Sequence, residues 1–94
     1  MSEIPPQELL DKTHAFPGKF LFKVIGRNEE DFAIRVIAVV REELGHDFDP
    51  PIELRHTSGG RHVSVNLEPW VESSEQALAI FGRLREVSGV IMVL

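Results

Sequence analysis

The amino-acid pattern predicts an α+β domain of six elements in the order strand, helix, strand, strand, helix, strand. Three observations carry that prediction. "FLFKVIG" is an aromatic and β-branched run of strand length. "NEEDFAIRVIAVVREELG" places its apolar residues at helical spacing and ends on glycine. "PIELRHTSGGRHVSVNLEP" is two alternating runs around a glycine pair, the pattern of a hairpin.

The chain of 94 residues is one domain, long enough to bury a core with little surplus. Residues 1–15, with Pro5 and Pro6 ahead of "QELLDK", are expected as a loose arm, because a lone short helix is marginal in water. Residues 16–94 are expected to be the single folded domain.

In the first strand Lys23 sets the orientation, since an unpaired ammonium is rarely buried. Leu21, Lys23 and Ile25 then face away from the helices, and Phe20, Phe22 and Val24 face the core. The strand is expected to end at Gly26. Asn28 is read as the cap of the first helix, with Glu29, Glu30 and Asp31 at its positive end. Phe32, Val36, Ile37, Val40 and Leu44 form its apolar stripe, and Gly45 stops it.

A two-residue primed turn at Gly59-Gly60, with both glycines at positive φ, fixes the hairpin register. Thr57 then pairs with His62, His56 with Val63, Arg55 with Ser64, Leu54 with Val65, Glu53 with Asn66 and Ile52 with Leu67. A slip of one residue would set apolar against polar along the hairpin. Ser73 and Gln76 make a capping box for the second helix, whose inner stripe is Ala77, Ile80, Phe81 and Leu84. Gly82 weakens that helix unless close packing justifies it. "GVIMVL" is the last strand.

This order is the split βαβ, or ferredoxin-like, sandwich: a four-stranded antiparallel sheet with both helices on one face. Right-handed crossovers place the first and third strands centrally. The other face is open. It should carry Leu21, Lys23 and Ile25, then Glu53, Arg55 and Thr57, then His62, Ser64 and Asn66. The last strand adds either Ile91 and Val93 or Val90, Met92 and Leu94.

"FPGKFLFKVIG", "SGGRHVSV" and the final "GVIMVL" resemble, in order and spacing over residues 16–94, the YbeD-like family of small bacterial proteins of unknown function. The resemblance implies a ferredoxin-like fold similar to the ACT regulatory domains that bind amino acids. It implies no known enzyme activity and carries over no catalytic residue. Trp70 and His62 depart from the family's pattern. ACT-like domains place a glycine at the turn from first strand to first helix, which makes Gly26 a candidate for meeting a ligand carboxylate. Against this, "GRNEED" is not a glycine-rich loop, and its acidic residues repel anions.

The net charge of −5 opposes binding to nucleic-acid phosphates, and of the outward positions on the central strands only His62 can stack on a base. The absence of cysteine removes disulfides and thiolate chemistry and fits a cytoplasmic protein. No apolar run reaches membrane-spanning length. His46, Asp47 and Asp49 match no strong metal-ligand spacing, so neither metal nor cofactor is expected. His62 and Ser64 stand about 7 Å apart on one strand, too far for a base and its nucleophile.

The expectation is a non-catalytic, ACT-like regulatory module with no membrane or nucleic-acid partner. It binds a protein partner or small effector, or pairs weakly with itself through the first strand, the third strand or a helix face. The candidate binding residues are Lys23, Ile25, Gly26, Arg55, His62, Ser64 and Asn66, with Lys23 and Arg55 as anion contacts. The alternative is a small enzyme using the polar sheet face.

Overall fold

Alternation of side chains along the strands fixes which residues meet the helices in the computed structural model, which describes residues 5–94. The elements are α1 (Gln7–Thr13), β1 (Gly18–Lys19), β2 (Phe22–Arg27), α2 (Phe32–Leu44), β3 (Ile52–His56), β4 (His62–Leu67), β5 (Trp70–Val71), α3 (Ser74–Arg85) and β6 (Val90–Val93). The main sheet has the order β3-β4-β2-β6, all antiparallel, with the predicted central strands central. β1 and β5 form a separate two-stranded ribbon that the sequence pattern did not announce.

Phe22 and Val24 of β2 point into the core, while Lys23 is exposed and Ile25 partly so. Phe20, Phe22, Val24, Val36, Val40, Ile80, Phe81 and Leu84 are buried as expected, while Ile37 and Leu44 of the α2 stripe are only partly so. Phe22 and Phe81 meet edge-on with ring centroids 5.1 Å apart, and Phe20 touches both. Such pairs add about 0.5–1.5 kcal/mol beyond area burial. The cluster joins the start of β2 to α3.

Several boundaries differ from expectation, each for a local reason. Residues 7–13, expected to lie loose, are helical, because Leu10 is buried and α1 packs on α3. Residues 1–4 of the expected arm lie outside the described residues. β2 begins at Phe22 and runs through Gly26 to Arg27. Asn28 does not cap α2. Its side-chain amide donates to Gly60 O at 2.8 Å and its backbone N–H to Arg61 O at 2.9 Å, so it fastens β2 to the hairpin tip. The helix starts four residues later, after Asp31 at φ 66°, a left-handed conformation that aspartate tolerates better than most residues. Gly45, also left-handed, ends it as expected.

The hairpin register is the predicted one from Ile52↔Leu67 to His56↔Val63. Its turn is not. Thr57 O accepts from Gly60 N, Thr57 N donates to His62 O, and of the glycine pair only Gly60 has positive φ. A four-residue loop, Ser58–Arg61, therefore replaces the two-residue primed turn; such loops commonly form around a single ordinary turn.

Ser73 Oγ accepts from Gln76 N, but the Gln76 side chain reaches Glu72 N instead of closing the box on Ser73. The α3 stripe of Ala77, Ile80, Phe81 and Leu84 is buried as expected. In β6 a register shift opposite Ile25 and Gly26 leaves Ile91 as the extra, exposed residue. Val93 faces the core, and Met92 and Leu94 lie on the open side, so neither set expected for the last strand holds intact.

Two glycines give opposite predictions. A Cβ at Gly26 would collide with the Phe32 ring and lie 2.8 Å from Gly89 O. Gly26→Ala is expected to destabilise the fold by about 1–3 kcal/mol, the range for overpacking. A Cβ at Gly82 meets nothing within 4 Å, so the close packing that would have justified this glycine is absent. Gly82→Ala should stabilise by about 1 kcal/mol and raise the Tm by roughly 4–8 °C. Thermal denaturation of the two variants reads both signs.

Candidate functional site

The open face of the sheet is built in rows, because residues directly opposite on antiparallel strands point the same way. One row runs Glu53, Asn66, Lys23 and Leu94 across β3, β4, β2 and the end of β6. The next runs Arg55, Ser64, Ile25 and Met92. A third holds Thr57, His62 and Arg27. Six of the seven expected site residues, Lys23, Ile25, Arg55, His62, Ser64 and Asn66, thus share one surface.

Gly26 does not. It lies inside β2 on the helix side, opposite Val63 and Val90, with the Phe32 ring against it. Its backbone is occupied by the ladder and its side-chain space by an aromatic ring. The reading of Gly26 as a ligand-holding turn is therefore withdrawn: this glycine makes room for Phe32.

The first row borders a shallow depression of about 490 Å³ lined by Leu21, Lys23, Pro51, Ile52, Glu53, Arg55, Asn66 and Glu68. Hydrogen-bonded pairs fix its floor. Ser64 Oγ donates to Asn66 Oδ1 at 3.1 Å, and Arg55 Nε donates to Glu53 Oε1 at 2.8 Å. The Glu53 carboxyl is held below its ordinary value, first by the hydrogen bond from Arg55, then by that guanidinium's charge, with a smaller contribution from Asn66. Arg55 is thus already engaged by a carboxylate, which weakens its standing as an anion contact. Lys23 makes no ion pair or hydrogen bond through its ammonium among the described residues, and it is the cation this surface leaves available.

The Ser64 hydroxyl is directed at an amide oxygen, not at a base. Among the described residues no group of three or more His, Asp or Glu is placed to hold a metal ion. His46 stacks on Phe48 with centroids 4.6 Å apart, and Asp49 pairs with Arg41, so the "GHDFDP" segment is committed to its own packing. Among the described residues no helix is long and apolar enough to cross a membrane. Sequence reasoning missed Pro51 and Glu68 as lining residues. They come from loops on either side of the hairpin, and the Pro51–Glu68 backbone bond joins them beside the floor.

The Glu53–Arg55 pair has a testable signature. A lowered folded-state pKa means a stabilising contribution that is present above the ordinary carboxylate range and lost as pH falls through the lowered folded value. Arg55→Ala should return the Glu53 titration, followed by side-chain carboxyl NMR shifts, to that ordinary range. An unchanged midpoint would show that Arg55 is not the cause.

The chain is similar to known proteins in sequence and, separately, in architecture. The family described as "Protein of unknown function (DUF493)" matches residues 11–94. A UPF0250 protein of Pasteurella multocida is 35% identical over 89 residues, covering 95% of this chain and 99% of that protein. A UPF0250 protein of Shewanella woodyi is 33% identical over 84 residues, covering 89% and 93%. Among solved structures, the crystal structure of the ACT domain from the GTP pyrophosphokinase of Chlorobium tepidum superposes with a TM-score of 0.58. It covers 82% of this chain and 97% of that domain at 20% identity, and the solution structure of the same domain gives 0.56. That likeness establishes the fold, which is ACT-like and ferredoxin-like. By its match over most of its length and by these relatives, the chain belongs to the DUF493 family of proteins of unknown function, as the resemblance in its strand motifs implied.

Proposed function

We propose that this protein is a non-catalytic regulatory module whose open sheet face binds a protein partner or a small anionic effector, with Lys23 as the principal charge contact. One observation supports the reading above others: an exposed ammonium without an acidic partner stands at the edge of a depression whose other cation is neutralised by Glu53. Exposed Leu21 and Leu94 flank it, an apolar rim beside a polar floor. Apolar strips with polar borders on a small domain mark contact surfaces. The Ser64–Asn66 and Arg55–Glu53 pairs give the floor fixed donors and acceptors for orientation rather than an activated nucleophile. The ACT-like fold agrees with a regulatory role, and the cytoplasm is the compartment that suits a chain without cysteine.

A thermal-shift survey of carboxylate and phosphate metabolites tests the effector form. A ligand at one hundred times its Kd adds about 2.7 kcal/mol, a shift of several degrees in a domain of this size. Lys23→Met should abolish that shift while changing the unliganded Tm little, because an exposed lysine contributes about 0–1 kcal/mol to stability. A clear fall in the unliganded Tm, parallel to the loss of binding, would make Lys23 a structural residue and remove the support for this site.

A further inference from the structure

We propose that β3 is a self-pairing edge, through which two copies join about a two-fold axis at Leu54 into one continuous eight-stranded sheet. β3 is a terminal strand of the main sheet, and all five of its residues are exposed. Edge strands of monomers are ordinarily blunted by proline, lysine, a bulge or a cover. Here Pro50 and Pro51 precede the strand, the ladder to β4 runs without a break, and the strand's two charges are of opposite sign.

The hydrogen-bond phase of the free edge follows from the paired one. Thr57 N donates to His62 O, and Glu68 N donates to Pro51 O. With the register known, residues 51, 53, 55 and 57 aim their backbone groups at β4. Ile52, Leu54 and His56 therefore aim theirs outward. A second β3 laid antiparallel about Leu54 sets Leu54 opposite Leu54 of the partner subunit, and Ile52 opposite His56 of the partner subunit. These are the positions whose backbone groups are free to exchange bonds.

The same register sets Glu53 opposite Arg55 of the partner subunit, and Arg55 opposite Glu53 of the partner subunit. Both are non-hydrogen-bonded pairs, where side chains approach most closely. Hydrogen-bond phase admits only an axis that passes through a residue, and charge selects among those axes. A shift of the axis by one residue, to Glu53 or Arg55, would keep the outward backbone groups in phase but oppose like charges at the axis. On the helix side Ile52 and Leu54 are 39% and 47% exposed, and Ile34 of α2, 64% exposed, lines one depression with Leu54 and His56. Self-pairing brings the two apolar strips together across the axis. The opposite edge, β6, offers no such match: it carries no charge, and its ladder is interrupted by the bulge at Ile91. A second copy fits β3 better than an unrelated extended peptide, because this strand supplies both halves of the charge match itself.

Sedimentation velocity on the full chain, from low to several hundred micromolar, is the test. A concentration-dependent dimer is expected. Glu53→Arg and Arg55→Glu should each weaken it about tenfold or more, since each puts like charges opposite one another twice. The double variant Glu53→Arg/Arg55→Glu should recover it. Leu54→Pro should give a folded monomer, because the N–H it removes points away from β4. Lys23→Met, which tests the open face, should leave the dimer intact, so the two proposals fail separately. A wild-type monomer at every concentration overturns the proposal, and so does a monomer whose edge takes up an extended peptide instead. A dimer indifferent to all three β3 variants, or a double variant that fails to recover, overturns it as well.

Discussion

Contact between the Phe32 ring and the backbone of Gly26 governs how the helices and the last strand are placed. Gly26 sits inside the central strand, and its missing side chain leaves the space that the ring fills. Gly89, at φ 95°, borders the same ring from the turn before β6, and the Arg35 guanidinium lies 5.8 Å from the ring's centre. Arg35 also donates to Ser88 O at 3.1 Å. One aromatic side chain therefore fixes where α2 begins, how closely it lies on β2, and where the chain turns into β6. Burying a phenylalanine of this kind is worth about 1.5–3 kcal/mol, a large share of the margin of a small domain.

That seat sets the position of both helices, and their position divides the sheet into a covered and an uncovered part. α2 and α3 pack on each other, with α2 on β2 and α3 on β6. The inward residues of β2 and β4 are buried as a result, whereas Ile52 and Leu54, on the same side of the sheet one strand farther out, are not. The open face and the exposed β3 edge follow from one arrangement: two helices of 13 and 12 residues do not cover four strands. Among the described residues, the half-apolar open face and the β3 edge are two surfaces that this arrangement leaves exposed.

Much of the open face was legible because a strand reports its faces with period two. Lys23 declares which side of β2 meets water, and the alternation in "IELRH" and "HVSVN" allows one register. The row Glu53, Asn66, Lys23 follows from those two facts and the strand order. Less legible were features that depend on residues distant in sequence. Asn28 has the residue type and acidic followers of a helix cap, and nothing local shows that the hairpin tip would take its amide. Gly26 looks like a turn glycine because its reason, the Phe32 ring, lies six residues on and around a corner.

The order of the six principal elements, the buried positions of α2 and α3, the inward and outward residues of β2, β3 and β4 and the hairpin register were set by the amino-acid pattern. These are short-range periodicities of hydrophobicity, and burial of apolar surface is the dominant driving force behind them. Three outcomes needed the folded chain: Leu10 draws α1 onto α3, Arg55 is engaged by Glu53 while Lys23 is left over, and β3 stands outside the helices' cover. Each depends on which groups lie within a few ångströms after folding. Exposed charges contribute too little to folding for the local pattern to fix which of them pair within the chain.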